Sequence, residues 1–258
     1  MEVKNSDIRG HAWFLCKHNY KKLLIVTLLI SIFLVIGDMA GTVASLLISL
    51  VFSPIINVGM IRFVRKLWHG EDAGPADLVA YPSYTLRIWG IAIPVNLLTS
   101  GLSILASMMI AYATTLSYVS STVYLVVLLV FGLLMIVLTY WLTIRLSLAY
   151  TAFVLNPDTR AFDCIKASWR ATRGHFWRVF CNMIVLMLPL YICTFILTYA
   201  FNLTGILYAI FYLLVETLLE GYIYLGEYGL AELLLTGHVD IPRKPESDDR
   251  PEHQALPK

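Results

Sequence analysis

Residues 156–178, NPDTRAFDCIKASWRATRGHFWR, form a charged segment between two long hydrophobic stretches. Asn156 is a residue type that caps helices, and Pro157 suits the first helical position because an N–H there has no intrahelical partner to lose. Gly174 is a suitable stop just past the last turn. The segment therefore predicts a helix that starts at Pro157 and ends before Gly174.

One face of this predicted helix is apolar, because Phe162, Ile165 and Trp169 are spaced i, i+3, i+7. Cations flank that face. A helix of this kind lies in the membrane interface, with its apolar face towards the acyl chains and its cations towards lipid phosphates. The candidate contacts with anionic headgroups of the cytosolic leaflet are Lys166, Arg170, Arg173 and Arg178.

The composition is typical of a membrane protein, with 59% hydrophobic and 14% charged residues and a mean hydropathy of +0.74. Soluble domains average about 45–50% apolar and about 25% charged residues. The N-terminal basic leader followed by a short apolar run is also typical of a secretory signal peptide. We favour a membrane span there, because a second apolar run follows at once and would return the chain to the same side.

Six hydrophobic stretches are candidates for transmembrane helices. The predicted spans are about 20–37, 40–61, 88–113, 123–145, 179–201 and 206–227. The fourth helix is expected to continue to residue 155 and the sixth to residue 235, and residues 62–87 are expected to form a loop. Residues 1–237 would then form one transmembrane domain, and residues 238–258, rich in Pro, Asp and Glu, a disordered cytosolic tail.

The distribution of cations predicts the orientation. With the N-terminus inside, all 19 Lys and Arg residues fall in segments on the cytosolic side and none falls in the three outer turns. We therefore predict a multi-pass protein of the cell membrane with both termini cytoplasmic. The fold class is all-α, a polytopic bundle of six transmembrane helices with a cytosolic interfacial amphipathic helix between helices four and five.

Short motifs along most of the chain add a resemblance. They are Ser53-Pro54, Gly59, Gly70-Glu71 and Asp77-Leu78, then Tyr150, Phe153 and Asn156-Pro157, then Ala167-Ser168, Gly174-His175-Phe176-Trp177 and Phe180. Together they resemble an uncharacterised bacterial family of six-span integral membrane proteins, a domain of unknown function common in Firmicutes. The chain also looks distantly like the membrane domain of some glycerophosphodiester phosphodiesterases, whose chemistry resides in a separate domain that this sequence does not include. The resemblance implies a fold and a location, and no activity.

Three carboxylates of the predicted sixth helix share one face, because Glu216, Glu220 and Glu227 lie within about 60° of one another around the helix axis. An ionisable group inside the membrane costs at least ~2–3 kcal/mol and normally faces a partner or a cavity. The other members of this candidate polar cluster are Arg145, Arg62, Asn57, Asn96 and Asn182. Two interpretations stay open. The cluster is either an inward-facing cavity for a small solute, a lipid headgroup or a proton, with Glu216 as the main candidate, or a set of ion pairs joining helices two, four and six.

The sequence contains none of the phosphate-binding, hydrolase or metalloprotease motifs that would indicate catalysis. We therefore predict a protein without enzymatic activity, metal or cofactor. Aromatic residues near the span ends fit an interfacial belt, so we predict no nucleic-acid binding. The preferred function is a membrane scaffold that binds anionic lipid or an unidentified protein partner. The alternative is a small-solute or proton-coupled transporter that uses the acidic cavity in the inner half of the membrane.

Overall fold

The computed structural model describes residues 3–39, 51–79, 84–116, 122–200, 205–239 and 241. Every regular element in these ranges is helical, which confirms the all-α fold class. The helices are α1 (Asn5–His18), α2 (Tyr20–Met39), α3 (Ser53–Trp68), α4 (Thr85–Leu116), α5 (Thr122–Leu146), α6 (Ala149–Leu155), α7 (Ala161–Thr172), α8 (Phe176–Phe195) and α9 (Gly205–Thr236). A 3₁₀ helix, Pro75–Val79, precedes α4, and a π turn, Ile196–Ala200, extends α8.

Three helical segments of the described chain are long and apolar enough to cross a membrane: Thr85–Ala113, Val126–Leu155 and Phe176–Tyr199. Only 17%, 11% and 17% of their most hydrophobic windows are buried inside the protein. Most of their apolar side chains therefore face outwards, as they would towards lipid and not towards water. Exposed examples are Leu97, Met108, Leu133, Val137, Ile192 and Phe195. These features indicate a membrane protein.

The best-packed part of the molecule joins α1, α3, α6 and α9. Ile8, Phe63, Phe153, Leu225 and Tyr228 are at most 2% exposed and belong to one hydrophobic core. This core fixes α1 to the helical bundle, because Ile8 of α1 is fully buried in it. A helix anchored in this way can carry polar side chains to a defined place in the interior.

Small residues let other helices approach α9 closely. A Cβ added to Gly226 would lie 2.6 Å from Leu186 of α8, and one added to Gly229 would lie 2.4 Å from Trp68 of α3. A Cβ at Gly221 would likewise touch α2. Close approach through small residues is a common packing device between membrane helices. α9 is therefore the element around which α2, α3 and α8 are arranged.

The predicted start of the amphipathic helix is wrong. Asn156 lies at the C-terminal end of α6, where its N–H donates to the carbonyl of Ala152 at 3.2 Å. Its own carbonyl accepts a hydrogen bond from the hydroxyl of Thr159 at 2.7 Å and so closes a turn. The helix begins only at Ala161. Gly174, with φ +90°, adopts the left-handed conformation expected of a stop.

Two further boundaries differ from the prediction. The fourth helix is interrupted at Ser147 and Leu148, where the Ser147 hydroxyl bonds to the Ile144 carbonyl at 2.9 Å and competes with the helical pattern. Residues 62–68, expected in a loop, belong to α3, which ends at Trp68, two residues before Gly70 with φ +72°. Of the predicted second span, residues 40–50 lie outside the described residues, as do position 240 and residues 242–258 of the predicted tail.

Candidate functional site

A cavity of about 420 Å³ lies among α3, α4, α5, α6, α8 and α9. It contains six of the eight residues of the predicted polar cluster. These are Asn57 of α3, Asn96 of α4, Asn182 of α8, and Glu216, Glu220 and Glu227 of α9. The remaining wall is largely apolar, with hydroxyls from Thr99, Thr143, Ser147, Tyr150 and Thr151. A mostly apolar cavity with a few polar groups on different elements is typical of small-molecule sites.

The helical repeat of α9 brings the three carboxylates to this cavity, because positions i, i+4 and i+11 share one face. Each of the three residues is half-buried. Glu216 accepts a hydrogen bond from the Tyr212 hydroxyl, one turn earlier on the same helix. No Lys, Arg or His of the described chain forms a salt bridge with Glu216, Glu220 or Glu227. Within the described part of the chain, the acidic groups of the cavity therefore have no countercharge in contact.

Asn182 of α8 is held in place where α8 packs against α9. It is 1% exposed, and its amide nitrogen lies 3.5 Å from the carbonyl oxygen of Gly226 on α9. Its side-chain oxygen accepts a hydrogen bond from the guanidinium of Arg9 on α1 at 3.2 Å. Because both ends of the amide are engaged, its orientation is fixed. Asn182 thus links the cavity wall to the N-terminal helix.

Arg9 was not among the residues that the sequence pattern identified. Ile8 and Ala12 of α1 are spaced i, i+4 and both are fully buried, so the helix packs on the bundle and Arg9 reaches Asn182. The spacing of Ile8 and Ala12, one helical turn apart, was the signal in the sequence that could have suggested it.

The two cations of the predicted cluster lie outside the cavity. Arg62 contacts Asp77 of the 3₁₀ helix, with Nε and Oδ1 3.8 Å apart, and Lys66 contacts the same oxygen at 2.7 Å. Burial by itself would raise the pKa of Asp77, but the hydrogen bonds from Lys66 and the Gly74 N–H, together with the two cations, outweigh it and leave the pKa below 3.8. Arg145 lies among aromatic rings. Ion pairs between these arginines and the acids of α9 are therefore not formed.

The predicted lipid contacts divide into two groups. Lys166 and Arg170 of α7 are exposed, as are Arg173, which directly follows α7, and Phe162, at 66%. Arg178 instead ties α8 to the start of α1, since its Nε donates to the side-chain oxygen of Asn5 at 2.8 Å and its Nη2 donates to the Val3 carbonyl. Three of the four predicted cations are thus available to a membrane surface, whereas Arg178 has partners within the protein.

Within the described residues, no group of three or more His, Cys, Asp or Glu side chains could hold a metal ion. Comparison with known protein families, with characterised proteins and with solved structures finds no match to this chain. The resemblance to the bacterial six-span family therefore stays a prediction, and the geometry of the cavity is the basis for inferring a function.

Proposed function

We propose that the chain is a six-span protein of the cell membrane, with both termini in the cytoplasm, that binds and transports a small cationic solute through the cavity beside α9. One observation carries the proposal: Glu216, Glu220 and Glu227 converge with three asparagine side chains on a space of about 420 Å³. An ionisable side chain at membrane depth is costly and usually has a partner. A cationic ligand would supply the countercharge that the described protein residues do not.

The size and lining of the cavity restrict the ligand. Ligand sites for small organic molecules typically measure about 300–1,000 Å³, so the cavity suits a molecule at the small end of that range. The amides of Asn57 and Asn96 can each donate and accept hydrogen bonds, whereas the carboxylates fix the sign of the preferred charge. The proposed substrate class is therefore a small organic ammonium compound. When no such ligand is bound, protons on the carboxylates would neutralise the cavity, which would couple transport to protons.

The experiment uses purified protein in liposomes and four probe cations: tetramethylammonium, choline, putrescine and spermidine. Any probe that raises the unfolding temperature in detergent is then offered as a radiolabelled substrate under an imposed pH gradient. We expect flux with at least one probe. Glu216→Gln and Glu220→Gln should lower it about tenfold or more, because one ion pair in a poorly solvated site is worth more than about 1.4 kcal/mol.

Glu71→Gln is the matched control, since Glu71 is an exposed carboxylate outside the cavity. It should transport like the wild type. Equal flux in Glu220→Gln, Glu216→Gln and the wild type, with all proteins folded, would refute a transport role for the cavity. Absence of both thermal stabilisation and flux with every probe would contradict the proposed substrate class.

A second candidate function is supported by a different observation, the exposed basic surface of α7. Lys166, Arg170 and Arg173 are exposed in the same stretch of chain, residues 156–178, as the exposed rings of Phe162 and Trp177. Aromatic rings and cations together are typical of a helix that binds an anionic membrane surface. A scaffold of this kind should bind phosphatidylglycerol vesicles, and the double variant Arg170→Gln, Arg173→Gln should weaken that binding while leaving any flux unchanged. Full retention of vesicle binding would argue against it.

A further inference from the structure

Arg145 stands at the C-terminal end of α5, where α7 crosses over it. The Ser168 hydroxyl of α7 donates a hydrogen bond to the Arg145 carbonyl at 2.7 Å, and Ser168 is fully buried. This bond fixes α7 against the end of α5. The side chain of Arg145 is thereby held beneath the amphipathic helix, next to the ring of Trp169.

Three aromatic rings surround the guanidinium. Its central carbon lies 5.4 Å from the ring centroids of Trp141 and Trp169 and 6.0 Å from that of Phe176. The two tryptophan rings meet edge to face at 5.3 Å. Such rings stabilise the positive charge of an arginine through their faces. They offer no hydrogen-bond acceptors in the plane of the guanidinium, however.

The hydrogen-bonding capacity of Arg145 is unused. Nε and Nη1 are buried without a hydrogen-bond partner, and no described carboxylate forms a salt bridge with the side chain. Nη2 also donates to no described residue, but it is not among the buried atoms, so the half-buried side chain reaches the surface there. Charged donors without acceptors are unfavourable, and an arginine fork fits the oxygens of a phosphate. The missing partner is therefore an external anion.

The surroundings indicate which anion. Trp169, whose ring lies by Arg145, has Lys166 one turn before it and Arg170 next to it on α7, and Arg173 directly follows the helix. The three cations are exposed, and Trp169 is 38% exposed. A concentrated positive surface beside large aromatic rings suits a ligand that has both a negative headgroup and apolar chains. A free phosphate ion would use the cations but not the rings.

We propose that the guanidinium of Arg145 and the basic face of α7 form a specific site for the phosphate of one anionic glycerophospholipid. The phosphate oxygens accept hydrogen bonds from Arg145, the cations of α7 compensate the remaining negative charge, and the rings of Trp141 and Trp169 contact the start of the acyl chains. The site deepens the second candidate function, general binding of an anionic surface. It is independent of transport through the cavity.

Native mass spectrometry in detergent tests the site by titrating phosphatidylglycerol and measuring the dissociation constant of the first bound lipid. In the wild type this constant should be at least tenfold lower for phosphatidylglycerol than for phosphatidylcholine. Arg145→Gln should weaken phosphatidylglycerol binding about tenfold or more, because it removes charge-assisted hydrogen bonds. Arg160→Gln is the matched control, with the same substitution at an exposed arginine of the same segment, and should change affinity less than twofold.

Arg145→Lys keeps the positive charge but loses the planar guanidinium, so we expect it to weaken phosphatidylglycerol binding several-fold. If Arg145→Gln does not fold, Arg145→Lys is compared with the wild type instead. Equal affinities of Arg145→Gln and Arg160→Gln would overturn the proposal, even if removing Arg170 and Arg173 abolished vesicle binding. The proposal would also be overturned if the wild type bound phosphatidylglycerol and phosphatidylcholine with equal affinity. If millimolar inorganic phosphate displaced the lipid completely, the site would be one for free anions and the lipid assignment would be wrong.

Discussion

Gly59 of α3 stands where the 3₁₀ helix Pro75–Val79 touches the bundle, and its replacement by alanine should lower stability. An added Cβ would lie 2.1 Å from the Leu78 carbonyl oxygen, 2.6 Å from its carbonyl carbon and 2.7 Å from its Cα. All three are backbone atoms, so no side-chain rotation can relieve the overlap. Moving the oxygen from 2.1 Å to 3.4 Å, where ordinary van der Waals contact begins, displaces the 3₁₀ helix by about 1.3 Å.

The size of the effect follows from two opposing contributions. Overpacking in a well-packed region costs about 1–3 kcal/mol, and three backbone overlaps place this site at the upper end. Alanine inside a helix recovers about 0.5–1 kcal/mol relative to glycine. The expected net loss is therefore about 2 kcal/mol. For a chain of this size, about 1 kcal/mol lowers the unfolding temperature by about 2–4 °C, so Gly59→Ala should unfold about 4–8 °C earlier.

Thermal unfolding in detergent, followed by circular dichroism, measures the shift. Gly10→Ala is the control, because Gly10 lies within α1 and a Cβ there would meet no atom within 4 Å. It should unfold at the wild-type temperature or slightly above it. If Gly59→Ala unfolded as late as Gly10→Ala, the close approach of the 3₁₀ helix to α3 would be wrong, and with it the contact that keeps Asp77 beside Arg62.

Two further predictions concern charged groups at the ends of α3 and α9. Because the pKa of Asp77 is lowered in the folded state, the stability contributed by its contact with Lys66 is present above about pH 4 and is lost as the pH falls through the folded pKa. Asp77→Asn should therefore reduce the fall in unfolding temperature between pH 6 and pH 3. The control Asp158→Asn, at a carboxylate that is 94% exposed, should leave that fall unchanged. If the unfolding temperatures of Asp77→Asn and the wild type fell in parallel, this reasoning would be contradicted. His69→Ala leaves the buried Glu232 carboxylate without the imidazole that lies 2.9 Å from it, and should cost about 2–3 kcal/mol by denaturant unfolding. Glu232→Gln removes the carboxylate charge itself and should lower the free energy of unfolding less than His69→Ala does. If Glu232→Gln were the more destabilising of the two variants, an ion pair between these residues would be excluded.

The helices were predictable where one physical effect dominates. Long apolar blocks gave α4, α8 and α9 nearly their observed bounds, because burial in lipid favours helix whatever the local details. The boundaries failed where two local effects compete. At Asn156, capping of a new helix competes with termination of α6, and the hydrogen bond from the Asn156 N–H to Ala152 decides for termination. The spacing of residues along the sequence does not show which of these two hydrogen-bonding arrangements has the lower free energy.

The carboxylates of the cavity were predictable from α9 alone, but their partners were not. Depth counted along each helix placed Arg62 and Arg145 level with the acids, yet depth gives no information on which way a side chain points around its helix. Arg62 turns to Asp77, and Arg145 turns to the rings of Trp141 and Trp169. These directions depend on contacts between segments far apart in the sequence. They favour the cavity interpretation over ion pairs that join helices two, four and six.

The fourth acid of α9 is a useful comparison for the other three. Glu232 is 6% exposed and has two partners, the His69 imidazole at 2.9 Å and the Tyr228 hydroxyl at 3.1 Å. The same helix that gives this acid a histidine partner leaves Glu220 and Glu227 without a Lys, Arg or His partner among the described residues. Leaving water is costly for an ionised carboxylate, so under the proposed function a cation that enters the cavity would compensate the three carboxylates that line it. A carboxylate with a structural role is expected to have protein partners, as Glu232 does. A carboxylate with a binding role is expected to be open to a ligand, as Glu220 and Glu227 are.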